Sequence, residues 1–449
     1  MRELLTATAQ RAIAYLDGLP HRAVAPSAEA VARLRELDIP LPEDPVSPET
    51  VLHTLDTYGS PATMGMAGPR FFGFVIGGSL PAALAANWLA NAWDQNSAYY
   101  NVTPATAVLE QVALRWLLDV LRLPPDCGGA FVTGTSVAHL AALAAARHSL
   151  LAKTGWDAEG SGLFGAPPLE VIVGAEAHPT LLKSLAILGL GRKRVLAVPV
   201  DSDGAMRLDA LPPLTDRSIV CVQAGNVNTG AVDPVQEICR RAREAGAWVH
   251  VDGAFGLWAA AAPSRAHLVE GIEDADSWAT DAHKWLNVPY DSGIAFVRDP
   301  DALRAAMAIT ADYLPTVSNH RNPGDFTPEL SRRARGVEVW AALHSLGRSG
   351  LAGMIERTCA HARRFAEALT AAGYEVINDV VLNQVLVSFG SPEKTLRVIQ
   401  DIQADGTCWC GNTLWQGRTA MRISVISWAT TEADVEQSID AILRMAARD

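Results

Sequence analysis

Lys284 stands in the segment DAHKW, between His283 and Trp285, with apolar residues beyond it. A primary amine in such a place can attack an aldehyde, although a lone lysine there is more often a snorkelling or ion-paired structural residue. Its company changes the reading. Asp252 ends the apolar run AWVHVD and is followed by Gly253-Ala254-Phe255-Gly256, small residues that let another group come close to the backbone. An acid at the carboxyl end of a strand in an open α/β sheet faces the ligand crevice. Upstream, GAFVTG runs into Gly134-Thr135-Ser136 and then a helical pattern. Backbone N–H groups, two hydroxyls and the helix dipole therefore converge on one point, a site for an anion such as phosphate. The G-x-G-x-x-G fingerprint and the lysine-bearing P-loop motif are both absent there, which argues against a nucleotide. His178, in EAHPT, follows the strand pattern LEVIVG and falls on the same edge.

A phosphate cradle, a carboxylate, an imidazole and an amine at one sheet edge match the needs of pyridoxal 5′-phosphate. The helix start at Gly134, Thr135 and Ser136 would hold the phosphate, and Asp252 would keep the pyridine nitrogen protonated. His178 would stack on the ring, and Lys284 would form the imine with the aldehyde.

The elements that must position these groups are legible in outline. SIVCVQAG, LEVIVG and AWVHVD are short β-branched runs alternating with helical patterns such as SVAHLAALAAARHSLLAKTG and PVQEICRRAREAG. They predict a mostly parallel sheet with helices on both faces, an α/β class. DSWAT and GIAFVRD are further strand candidates flanking the lysine segment. Three parts follow: a helical N-terminal arm over 1–80, a large cofactor-binding domain over 81–337 and a small α+β domain over 338–449. The last would contain a long helix over Val337–Ala372, the strands YEVIND, QVLVSFG and MRISVIS, and a final helix from Thr431. The arm has too few core positions to fold alone and must pack on the body or on a second subunit.

Composition bounds the partners. The chain has 449 residues, 49% of them hydrophobic, and a formal charge of −12. With no basic stretch, nucleic acid and anionic membrane are not expected as partners, and no apolar run reaches the roughly 18 residues needed to span a bilayer. Six cysteines in so long a chain predict no disulfide framework and a reducing, cytoplasmic setting. Cys408 and Cys410 form a C-x-C without a nearby histidine, and are read as ordinary thiols rather than metal ligands.

The residues HVDGAFG, DAHKW and EAHPT, with Lys284 lying 32 residues after Asp252, resemble the group II pyridoxal-phosphate-dependent amino-acid decarboxylases across nearly the whole chain. The resemblance implies PLP fold type I, the aspartate-aminotransferase-like fold, and a homodimer with its active site at the interface. It implies decarboxylation of an L-amino acid to the amine and CO2, with His283 also reaching the phosphate and Asn226 the cofactor's phenolic oxygen. Tyr313, 29 residues after the lysine in ADYLP, corresponds to a loop tyrosine of the aromatic-amino-acid decarboxylases that protonates Cα. The stretch Pro315–Pro328 has a lid's composition, or that of a plain surface connection. Phe72, Phe74 and Ala98 would line the substrate side; the phenylalanines favour an aromatic or apolar side chain, Asn96 and Ala98 stand near positions that are bulkier and apolar in the aromatic enzymes and so leave a polar one open, and the FFGF run equally suits core packing. Arg422 falls in a strand that carries a functional arginine in relatives, or makes a surface ion pair.

The chain also departs from the pattern. Ser136-Val137-Ala138-His139 stands where many relatives have Ser-Glu-Ala-Asn. One fold and one cofactor host several reactions, so a Cα–Cβ lyase, an aminotransferase, an oxidative decarboxylase-deaminase and a non-catalytic PLP-binding scaffold stay open at this stage.

Overall fold

A computed structural model describes residues 1–309 and 320–448. The chain forms two compact units, one of Ser79–Ala360 with Asn378–Gln384, the other of Met1–Gly78, His361–Ile377 and Val385–Asp449. The arm thus shares a unit with the C-terminal strands, where the sequence predicts separate parts over 1–80 and 338–449. Its last stretch is tied there by Arg70, whose guanidinium pairs with Asp434 at 2.9 Å and donates to the carbonyls of Thr407 and Pro20.

The first unit is built on seven strands: β1 Gly128–Val132, β2 Glu170–Gly174, β3 Leu196–Val198, β4 Ser218–Gln223, β5 Trp248–Asp252, β6 Ser277–Asp281 and β7 Gly293–Val297. They lie in the order β1-β7-β6-β5-β4-β2-β3. The pairs β2–β3, β2–β4, β4–β5 and β5–β6 are parallel, whereas β7 runs antiparallel to both β6 and β1. One reversed strand between β1 and β6 leaves the carboxyl ends of β1, β2, β4, β5 and β6 on a single edge. Every residue of β1, β4, β5, β6 and β7 is buried, because helices cover both faces and neither face can alternate with polar residues.

The helix Thr135–Ala152 leaves β1 directly and packs its alanine-rich face on the sheet, where Ala138, Ala141, Ala142 and Ala145 join Val132, Ile219, Ala279 and Ala295 in one core. Small side chains let this helix lie close, and that closeness aims its first turn at the ligand edge. One predicted helix differs. The long C-terminal helix, observed over Gly336–Ala371, is broken at Gly347, whose φ of 58° and ψ of −176° are not helical. Apolar periodicity continues on both sides of that glycine, so the pattern does not betray the break.

The second unit carries four strands, β8 Glu375–Val376, β9 Gln384–Ser388, β10 Gly411–Trp415 and β11 Arg418–Ser424, in the order β10-β11-β9-β8. Its final helix, Glu432–Ala446, starts from a capping box in which Thr431 and Asp434 satisfy each other's backbone N–H. Strands β3 and β10 are absent from the predicted set: the first is three residues long, and the second alternates half-buried and exposed positions until the buried Trp415, with few apolar residues. Cys408 and Cys410 are both fully buried thiols, and hydrogen bonding to Cys408 together with burial raises Cys410 well above the usual thiol range.

One close approach couples the sheet to its ligand edge. A Cβ at Gly293, the first residue of β7, would lie 2.4 Å from the Gly134 Cα, which is backbone and cannot step aside. Gly293→Ala is therefore expected to lower unfolding free energy by about 1–3 kcal/mol and to weaken cofactor uptake by displacing Gly134. Chemical denaturation and a cofactor titration measure the two effects, and a variant unchanged in both would refute the packing constraint.

Candidate active site

The ligand edge gathers residues from five strand ends, all within the first unit. After β1, Gly134 adopts an extended conformation and caps the helix Thr135–Ala152. The first-turn N–H groups of any helix lack intrahelical acceptors. Here the Thr135 N–H donates to Asp281 Oδ1 at 2.7 Å, and the Thr135 hydroxyl donates to Asp281 Oδ2. Asp281 ends β6 and is buried, and the same carboxylate meets Lys284 Nζ at 3.0 Å. The predicted amine is thus tethered by one carboxylate to the predicted anion site.

Lys284 itself sits in a tightly pinned turn. The N–H groups of Ala282 and His283 both donate to the Ser292 carbonyl, and the Asn287 N–H donates to the Lys284 carbonyl. Trp285 is fully buried and its indole N–H donates to Thr358 Oγ1 at 3.0 Å, an anchor that turns its lysine neighbour the other way. The lysine side chain keeps 22% of its surface exposed, enough for an aldehyde to reach it. His283 Nδ1 accepts from the Ser292 N–H at 3.2 Å, and its ring stacks on Tyr290 with centroids 4.4 Å apart. Burial holds His283 below its usual range despite the nearby Asp281.

Asp252, at the end of β5, accepts the Ala254 N–H on Oδ1 at 3.2 Å and faces His139 Nε2 across 3.5 Å with Oδ2. Burial alone would raise this carboxyl, but His139, His178 and Lys284 outweigh it and hold Asp252 below the ordinary carboxylate range. His178 caps the helix Pro179–Ile187, and its Nδ1 lies 2.7 Å from the Thr180 hydroxyl. Asn226 is buried after β4, and its amide shapes the loop: Nδ2 donates to Glu176 at 3.0 Å, while Oδ1 accepts from the Asn228 N–H at 2.8 Å. The Ser136 carbonyl accepts the Ser184 hydroxyl, tying the two helix starts together.

Gly134, Thr135, Ser136, His178, Asn226, Asp252, His283 and Lys284 therefore all lie on loops or helix starts at one edge. Ala98 is buried in the same unit, where its carbonyl accepts the Gly324 N–H. Phe72 and Phe74 belong to the other unit. Phe72 is buried edge-on against Phe365, whereas Phe74 is 58% exposed and stacks at 6.0 Å on Trp409. Arg422 lies in β11, and burial lowers it from the usual guanidinium range. Tyr313, with 315–319 of the expected lid, lies outside the described residues.

Asp281 and His139 carry geometry to which the sequence assigned no role. The signal for His139 was its replacement of an expected asparagine, and that for Asp281 was its place three residues before the lysine.

The donor set fits pyridoxal 5′-phosphate. Gly134 brings the helix N-terminus close to the lysine segment, where a Cβ would meet His283 Cε1 at 3.4 Å and Asp281 Oδ1 at 3.5 Å. Asp252 is a buried anion suited to a protonated ring nitrogen, and Lys284 is a partly exposed amine. Fold and site together define a vitamin B6 enzyme of the aspartate-aminotransferase fold type. The model of the pyridoxal-dependent decarboxylase conserved domain matches residues 32–390, and the chain belongs to that family. It is a pyridoxal-phosphate-dependent carboxy-lyase acting on amino acids. Tryptophan decarboxylase 1 of Oryza sativa subsp. japonica is 27% identical over 425 residues, covering 85% of this chain and 81% of the relative. L-2,4-diaminobutyrate decarboxylase of Rhizobium meliloti (strain 1021) is 29% identical over 380 residues, covering 80% and 74%. A crystal structure of Oryza sativa TDC with PLP and tryptamine superposes with a TM-score of 0.90 at 24% identity, covering 99% of this chain and 97% of the other, and shares its fold.

The Thr135 hydroxyl is a charge-assisted donor to a buried carboxylate. Thr135→Val should lower unfolding free energy by about 2 kcal/mol, and Thr135→Ser should not. Urea denaturation of the two variants distinguishes this tie from mere packing.

Proposed function

We propose that this enzyme decarboxylates an L-amino acid with an aromatic or apolar side chain, releasing the amine and CO2. The observation that carries the reading is the meeting of Lys284, Asp252, His178 and the Gly134 helix start at one sheet edge. Pyridoxal 5′-phosphate, when bound, supplies an electron sink for the pair left at Cα as CO2 departs. Lys284 would hold the aldehyde end of the cofactor. Asp252 would keep a negative charge toward the ring nitrogen, and His178 would stack on the ring. His283 and the first turn at Gly134, Thr135 and Ser136 hold the phosphate, with Asn226 shaping the neighbouring loop. Tyr313 donates the proton to Cα and, with its loop, excludes water.

Phe72, Phe74 and Ala98 are proposed as substrate-side residues. The tryptophan decarboxylase relative favours an aromatic substrate, and the exposed Phe74 ring offers an apolar surface. The active unit is proposed to be a cytoplasmic homodimer. The arm helix Arg2–Gly18 buries no residue, and it leaves Leu5 and Ile13 exposed, as the helix Pro81–Trp93 leaves Trp88 and Leu89. Six free thiols suit a reducing compartment. Among the described residues no helix is long and apolar enough to cross a membrane.

A panel of L-amino acids scored for CO2 tests the reading, with tryptophan, tyrosine and phenylalanine expected to exceed 2,4-diaminobutyrate. Keto acid without CO2 would replace it with transamination. Lys284→Ala should abolish the visible absorbance of the lysine-bound cofactor, and a variant that stays yellow would overturn the lysine's role. Tyr313→Phe should cut amine output by about 100-fold or more and divert turnover to aldehyde with oxygen consumption, whereas unaltered amine output would remove Tyr313 from the chemistry.

A further inference from the structure

Behind Asp252 lies a row of buried side chains, Trp248, Ser277, His250 and His139. Residues 248, 250 and 252 of β5 alternate onto one face of the sheet, and all three are buried. Trp248 Nε1–H donates to Ser277 Oγ at 2.9 Å, and Ser277 Oγ lies 2.8 Å from His250 Nδ1. His250 Nε2 lies 2.8 Å from His139 Nδ1. His139 Nε2, fully buried and without another hydrogen-bond partner among the described residues, faces Asp252 Oδ2 at 3.5 Å.

Proton counting allows this row a direction that runs from Trp248 to Asp252. An indole nitrogen can only donate, so Ser277 accepts from Trp248 and has its single hydroxyl proton left for His250 Nδ1. Burial pushes His250 well below its usual range, so it is neutral and carries one proton. With Nδ1 accepting, that proton sits on Nε2 and is donated to His139 Nδ1. His139 then carries its own proton on Nε2, aimed at the carboxylate. Ser277, His250 and His139 each accept once and donate once, and no second net charge is needed. The other groups bearing on Asp252 are His178 and Lys284 on the ligand side, with Cys221 and Asp233 also feeling its charge.

We propose that Trp248, Ser277, His250 and His139 form a one-directional hydrogen-bond relay that presents the His139 Nε2–H to Asp252 and keeps that carboxylate charged toward the ring nitrogen of pyridoxal 5′-phosphate. His139 is a positioning residue, acting through Asp252. The proposal rests on the cofactor assignment above and extends it to residues outside the ligand edge. An amide with the same order of acceptor and donor can replace the imidazole, whereas an apolar side chain of similar volume cannot.

The test uses the full-length protein, stripped of cofactor and titrated with pyridoxal 5′-phosphate or with its 1-deaza analogue, which lacks the ring nitrogen. His139→Leu should bind the natural cofactor about ten- to hundredfold more weakly than the wild type and show an altered visible spectrum. Both proteins should bind the deaza analogue alike. His139→Gln should recover most of the lost affinity, and Trp248→Phe, which removes the donor that sets the direction, should show a smaller loss confined to the natural cofactor. Equal losses with both cofactors in these variants would make His139 a packing residue and overturn the relay. Should His139→Leu fail to fold, His139→Gln and Trp248→Phe carry the same comparison. A wild type that takes up neither cofactor would refute the underlying assignment, whereas normal uptake with insensitive variants would refute the relay alone.

Discussion

A carboxylate taken out of water is stable only where other groups repay the lost solvation, and Asp252 is the point at which this fold meets that demand. Its neighbours come from β1's helix, from the loop after β2 and from the turn after β6, so the charge is supported only when those elements are in register. The parallel pairing of β4, β5 and β6 sets that register, with Asp252 opposite Gln223 on one side and Ala279 on the other. Cofactor electronics and sheet architecture are thus a single problem here.

A second carboxylate does related work at the other end of the site. Asp281 joins the Thr135 N–H and hydroxyl to the Lys284 ammonium, so the helix start and the reactive amine are positioned by one group. The helix dipole and the ammonium both favour its charge, which offsets the cost of burying it. Between the two acids the edge alternates fixed charges with open space, as a site must that receives an anion at one end and a protonated ring at the other.

Much of this was legible in the sequence, for a physical reason. Strands buried on both faces need uninterrupted apolar runs, and the runs around GAFVTG, LEVIVG, SIVCVQAG, AWVHVD, DSWAT and GIAFVRD all proved to be strands within a residue or two at each end. Chemistry at strand ends is local as well: Asp252, Lys284 and the Gly134 helix start each sit beside an apolar run that announces them. The short β3, the half-exposed β10 and the break at Gly347 left no such mark, because neither a three-residue strand nor a single glycine within a continuous helical pattern changes the periodicity.

The amino-acid order by itself determined which residues occupy the ligand edge, since strand direction and the residues just past each strand are matters of local sequence. Which of them touch was decided only in three dimensions. His139 and His250 are 111 positions apart in the chain, and Thr135 and Asp281 are 146 apart. Contacts over such separations depend on strand order, helix approach and side-chain direction together, and no local pattern encodes those. The amide of Asn226 makes the same point. The turn that holds it directs its oxygen to the backbone and one of its amide N–H groups to Glu176, 50 positions away.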